Sequence, residues 1–214
     1  ELYISRPGLR SVPNELGALL WQCESGRLLP DKIVESPDHN AIRLYASAQD
    51  KLRVLSARPN TFPKLLGDFH SHPRTRTWAG QLPSPQDLFE MSVLTDHWEL
   101  IPPLNDVADV ERSPQLQVIL LAAFDMMYIV ERVPGRVRFN DLAAQKEDLS
   151  QREAQYSDWH KSIHNKLRRM PSSIGTKEIY DRFSPLLCEI NDILKDRASI
   201  RLVKCSSLPE HPPG

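Results

Sequence analysis

Two histidines separated by one residue, His70 and His72, and a carboxylate fifteen positions further on, Asp87, are side chains of the types that can bind a metal ion together. The run that leads to them, 64–69, is apolar enough to form a buried strand. Alternate residues of a strand share a face, so His70 and His72 project side by side while Ser71 points away. Ser84-Pro85-Gln86-Asp87 reads as the start of a helix. Ser84 stands at the N-cap, Pro85 at the first helical position and Asp87 at the third, which aims the Asp87 carboxylate back out of the helix mouth towards the strand end. Two imidazoles and one carboxylate leave the fourth position of a tetrahedral zinc open. An open position distinguishes a catalytic zinc from a structural one, because water held there becomes nucleophilic near neutral pH. One zinc per chain is the expectation.

Hydrolysis by such a centre needs a general base beside the water, and Glu15 is the candidate. It opens the segment Glu15-Leu16-Gly17-Ala18-Leu19-Leu20-Trp21, where a carboxylate begins an apolar strand whose glycine permits close approach of another backbone. Burial at a strand edge raises a glutamate's pKa towards the range useful for passing protons at pH 7. Glu24, after the same strand, is the other carboxylate to weigh.

Glu15, then His70-Ser71-His72-Pro73, then Ser84-x-x-Asp87 together resemble the JAMM motif of the JAB/MPN metallopeptidases. The order of elements is also similar from about residue 2 to residue 138: a first strand, the Glu-bearing strand, a third strand near 28–35, a helix near 46–58 and then the strand carrying both histidines. The resemblance implies an α/β fold with an MPN-like mixed central sheet flanked by helices. It implies that His70, His72 and Asp87 hold zinc, that Glu15 activates the water and that Ser84 helps to stabilise the tetrahedral oxyanion. Family members with the full motif cut isopeptide or peptide bonds after the C-terminal glycine of ubiquitin or a ubiquitin-like protein. The bare domain is most similar to prokaryotic members, which implies a ubiquitin-like conjugate, precursor or sulfur-carrier protein as substrate. E1/E2-like proteins of the same operon, in bacterial conjugation or antiviral defence, are the further partners implied. The chain departs from the family in a long loop, 74–83, between Pro73 and Ser84, and in the short proline-containing stretch 6–14 before Glu15. Arg74, Arg76 and Trp78 lie in that loop, where the family's substrate tail runs, and are the candidate substrate-binding residues. With the loop 98–114 they would wall an extended peptide.

Around these motifs, 214 residues suffice for one domain with an appendage. The division read from composition is a metallopeptidase domain over 1–140 and a C-terminal helical extension over 141–214. The extension turns charged and glutamine-rich, with one helix to about Arg169 and a second over about 176–197. Ile179, Phe183, Leu186, Leu187, Ile190 and Leu194 form a 3.6-period stripe on the second helix. A helical hairpin docked on the sheet is expected, then a frayed proline-rich tail. Residues 116–124 and 126–133 read as a strand pair, and 137–139 as a further short strand.

A net charge of −1 makes no electrostatic case for nucleic acid. Three cysteines without a CxxC pair suggest neither a disulfide framework nor a thiolate zinc site, which fits a reducing, cytoplasmic compartment. The longest apolar run is too short to cross a membrane. Cys23 reads as a small buried apolar residue. His160 and His164 have metal-binding spacing on a helix, but Lys161 stands where a zincin has its glutamate, so they read as a solvated or partner-facing surface. Lys166, Arg168 and Arg169 read as a charged helix face. The rival to an enzyme is a metal-free MPN scaffold that binds protein partners.

Overall fold

Long apolar runs over Leu16–Gln22 and Leu116–Leu121 form strands that are buried on both faces, as the middle of a sheet requires. The computed structural model describes residues 14–30, 33–36, 64–72, 78–89, 116–121, 126–132, 142–169, 176–195 and 197–204. Strands β1 (Leu16–Gln22), β2 (Leu28–Pro30), β3 (Val34–Glu35), β4 (Lys64–His72), β5 (Leu116–Leu121), β6 (Met126–Arg132) and β7 (Ala198–Lys204) form one sheet. Its order is β2-β1-β4-β5-β6-β7, with β3 also paired to β1. Only β4 and β5 run parallel among these pairs, so the sheet is mixed and the protein α/β. Residues 28–35 supply two short strands rather than the single one expected.

The helices are α1 (Pro85–Phe89), α2 (Leu142–Leu167) and α3 (Thr176–Leu194), with a 3₁₀ turn over Trp78–Gln81. They share one face of the sheet. Ile119, Tyr128, Val130 and Ile200 from the strands pack there with Leu88 of α1, Tyr156 and Ile163 of α2, and Phe183 and Ile190 of α3. The apolar stripe expected on the second C-terminal helix is this contact. The opposite face carries a second cluster, including Ala18, Leu20, Phe69, Val118 and Met127. By register, His70 lies beside Ile119 and His72 beside Leu121, which puts both imidazoles on the helix-covered face.

α3 ends three residues earlier than the sequence suggests, and a strand follows it. Lys195 takes a left-handed conformation (φ 49°) that stops the helix. Arg152 Nη1 of α2 donates to the freed carbonyls of Ile193 and Leu194, each at 3.0 Å. The Asn191 side chain then bonds both backbone groups of Ile200, accepting its N–H at 2.8 Å and donating to its carbonyl at 2.9 Å. β7 thus lies antiparallel to β6 and contributes Ala198, Ile200 and Leu202 to the core. The segment after 141 is therefore part of the sheet as well as a pair of helices. No helix among the described residues is long and apolar enough to cross a membrane. The expected helix 46–58, the strands near residue 2 and over 137–139, the loop 98–114 and the tail 208–214 lie outside the described residues.

Candidate metal centre

His70 and His72 occupy the C-terminal end of β4, held between β1 on one side and β5 on the other. Two features set their position. At Gly67 an added Cβ would lie 1.5 Å from the Leu116 carbonyl oxygen, so only glycine lets β4 approach the start of β5 this closely. The β1–β4 register also shifts between Leu20 and Trp21, a bulge that leaves the stretch after it in the pairing Gly17–His70. Residues directly opposite in an antiparallel pair share a face, and glycine at 17 contributes no side chain of its own over His70.

Asp87 comes from α1, and its position follows from a complete capping box. The Asp87 N–H donates to Ser84 Oγ at 3.1 Å, and the Ser84 N–H donates to Asp87 Oδ2 at 2.6 Å. The sequence expectation for Ser84, Pro85 and Asp87 describes this turn. Ser84 Oγ is an acceptor in this bond, so its own proton stays available for a further acceptor.

The carboxylate reaches both imidazoles. His72 Nε2 lies 3.1 Å from Asp87 Oδ2, and His70 Nε2 lies 3.4 Å from Asp87 Oδ1. The two rings stand 5.3 Å apart, and one ligand atom from each of the three residues falls within 4.8 Å of the others. The group can hold one metal ion. Both histidines are buried, 3 % and 6 % exposed. Among the described residues His70 Nδ1, His70 Nε2 and His72 Nδ1 have no hydrogen-bond partner. His70 Nε2 meets Asp87 Oδ1 only at a long 3.4 Å, and a coordinated ion would give that buried atom a full partner. Without an ion, burial pushes the Asp87 carboxyl up, but both histidines outweigh it and hold it well below the carboxylate range. Burial pushes His70 down, but Asp87 outweighs it and raises it.

Glu15 is brought to this group by strand pairing. Carrying the Gly17–His70 register two places further sets Glu15 opposite His72. The Leu16 N–H donates to Ser71 Oγ at 3.0 Å, and the Glu15 carbonyl accepts the Ser36 N–H at 2.9 Å, fixing the backbone on both sides. Ser71, turned away from the side that carries His70 and His72, thus anchors the strand that carries Glu15. Burial raises the Glu15 pKa, while His72 and His70 pull it down and Asp87 pushes it up, so the carboxylate feels all three residues. Glu24 is exposed in the turn beyond the far end of β1, roughly 20 Å away at about 3.3 Å per residue.

Three contributors were not foreseen. Gln117, fully buried on β5, donates to the Asp87 carbonyl at 2.9 Å and to Asp68 Oδ2 at 3.4 Å, tying α1 to the sheet. A lone glutamine inside the apolar run 116–121 is the signal that marks it. Asp68 shares a face of β4 with His70 and His72, and burial pushes its carboxyl up to about 7. Tyr156 of α2 donates its hydroxyl to the Pro83 carbonyl at 2.7 Å, directly before the Ser84 cap, so a C-terminal helix braces the turn that presents Asp87.

Trp78 begins the 3₁₀ turn, which packs against α2. Arg74 and Arg76 lie outside the described residues, as does the side chain of Trp78. Cys23 is half-buried rather than buried. No family model, curated protein or solved structure matches the chain.

Proposed function

We propose that the chain is a zinc-dependent peptidase or isopeptidase of the JAMM type, built on an MPN-like sheet and acting after the C-terminal glycine of a ubiquitin-like protein. The observation that carries this reading is the convergence of His70, His72 and Asp87 with Glu15 set opposite His72. Four-coordinate zinc with bonds of about 2.0–2.1 Å places its ligand atoms roughly 3.4 Å apart. The imidazole–carboxylate separations of 3.1 and 3.4 Å run to different oxygens of Asp87, and the three ligand atoms lie within 4.8 Å of one another, so the set would draw in by up to about 1 Å to close around that ion. His70, His72 and Asp87 would hold it, and Glu15 and Ser84 stay free to act on substrate.

Zinc, when bound, supplies Lewis acidity and lowers the pKa of water at its open position. Glu15 takes a proton from the attacking water and returns it to the departing amine, the shuttling role of a general base set opposite His72. Ser84 donates its hydroxyl proton to the oxyanion while its backbone N–H keeps Asp87 in place. Gln117 and Tyr156 hold α1 and its cap against the sheet. Arg74, Arg76 and Trp78 are the proposed contacts to the substrate tail, and the cytoplasm is the proposed compartment.

The test is cleavage of a ubiquitin-like protein fused through a scissile Gly–X bond. Cleavage that requires zinc, stops with chelator and falls at least about a hundredfold in Glu15→Gln supports the reading. Zinc-loaded, folded protein that leaves a panel of such fusions and isopeptide conjugates intact contradicts it.

A further inference from the structure

His160 and His164 on α2 acquire a setting that their spacing alone does not give. Residues four apart lie on one helix face, and these rings are 6.3 Å apart, against 5.3 Å for His70 and His72. Both are half-buried rather than fully solvated. The His160 ring lies 6.0 Å from Tyr156, whose hydroxyl braces the turn before Ser84. The helix itself packs against α1 and the 3₁₀ turn.

We propose that His160 and His164 form a second divalent-metal site, a two-imidazole chelate for a first-row ion such as zinc, with water in the remaining positions. Imidazole nitrogen is a donor suited to zinc, copper and nickel. Metal binding requires neutral rings. Tyr156, one helical turn before His160, bonds the Pro83 carbonyl, so the pair lies on the same stretch of α2 that braces the Asp87 turn. A site with two protein ligands binds more weakly than one with three, so the two centres fill in order as zinc rises. The proposal stands on the helix geometry and does not depend on the peptidase reading.

Calorimetric titration of metal-stripped protein with zinc chloride tests it. Two classes of site are expected in the parent, one tight and one weaker. His160→Ala and His164→Ala should each reduce two zinc equivalents to one and keep the tight class. His72→Ala should remove the tight class and keep the weaker. Circular dichroism and the unfolding midpoint check that each variant folds, and His160→Gln gives a second variant of similar size. A parent with a single class unaffected by either α2 substitution overturns the proposal, as does a weaker class that survives both. A single class abolished by His160→Ala alone would support this site and contradict the first centre.

Discussion

Two tyrosines on the helix-covered side of the sheet, Tyr156 and Tyr128, should respond in opposite ways to loss of the hydroxyl. Both are 0 % exposed. Tyr156 donates to the Pro83 carbonyl at 2.7 Å, whereas the Tyr128 hydroxyl has no hydrogen-bond partner among the described residues. Tyr156→Phe keeps the ring against Phe89 and Trp159 but leaves the buried Pro83 carbonyl without its donor. That loss costs about 1–3 kcal/mol. A chain of this length shifts by roughly 2–4 °C per kcal/mol, so the midpoint should fall by roughly 2–12 °C. Tyr128→Phe removes a desolvated hydroxyl that bonds nothing and should be neutral or stabilising. Pro83 precedes the Ser84 cap, so Tyr156→Phe should also weaken metal binding. A 1 kcal/mol share of its cost would raise the zinc Kd about fivefold, while Tyr128→Phe should leave it unchanged. Thermal unfolding of the metal-free proteins and zinc titration measure the two effects. Equal destabilisation by both substitutions, or weaker zinc binding in Tyr128→Phe alone, would refute the assignment of Tyr156 as the brace of the Asp87 turn.

Glu15→Gln should bind zinc and unfold like the parent yet lose at least about a hundredfold in kcat, read in the fusion-cleavage assay; an unchanged rate would remove Glu15 as the base. Gly67→Ala should separate β4 from β5, since its Cβ would meet the Leu116 carbonyl at 1.5 Å, and the loss should appear as a lowered midpoint together with weakened zinc binding. Burial pushes the Asp148 carboxyl up, but bonds from Arg197 at 2.7 and 2.9 Å and from Arg152 at 2.9 Å outweigh it and lower its pKa. A depressed folded-state pKa gives stability that is present above the unfolded value, about 3.9, and is lost as pH falls through the folded value. The carboxylate is 36 % exposed, so solvent screening keeps this to at most about 1 kcal/mol. Denaturation from pH 7 to pH 2 should show less acid sensitivity in Asp148→Asn than in the parent.

The grouping of His70, His72 and Asp87, which could hold a metal ion, was legible because its geometry is local. Strand alternation places His70 beside His72, and a capping box four residues long orients Asp87, so neither depends on distant partners. Glu15 was reachable as an acidic residue before a glycine-bearing strand, but its place opposite His72 needs the β1–β4 register, which the bulge at Leu20 alters. Gln117 and Tyr156 act across 30 and 73 residues, distances at which periodicity carries no information. β7 was missed for a physical reason: the helix before it stops at a lysine in the left-handed conformation, where the sequence offers no glycine to mark the end. The alternation of Ile200, Arg201 and Leu202 is the trace of that strand. The two short strands β2 and β3 have too few residues for any period to register.

The central claim is that His70, His72 and Asp87 hold a metal ion, and elemental analysis of protein purified without chelator tests it most directly. The account predicts one tightly held zinc per chain, lost in Asp87→Ala while the fold survives. A metal content near zero that added zinc cannot restore, or a tight zinc undiminished in Asp87→Ala, would contradict it.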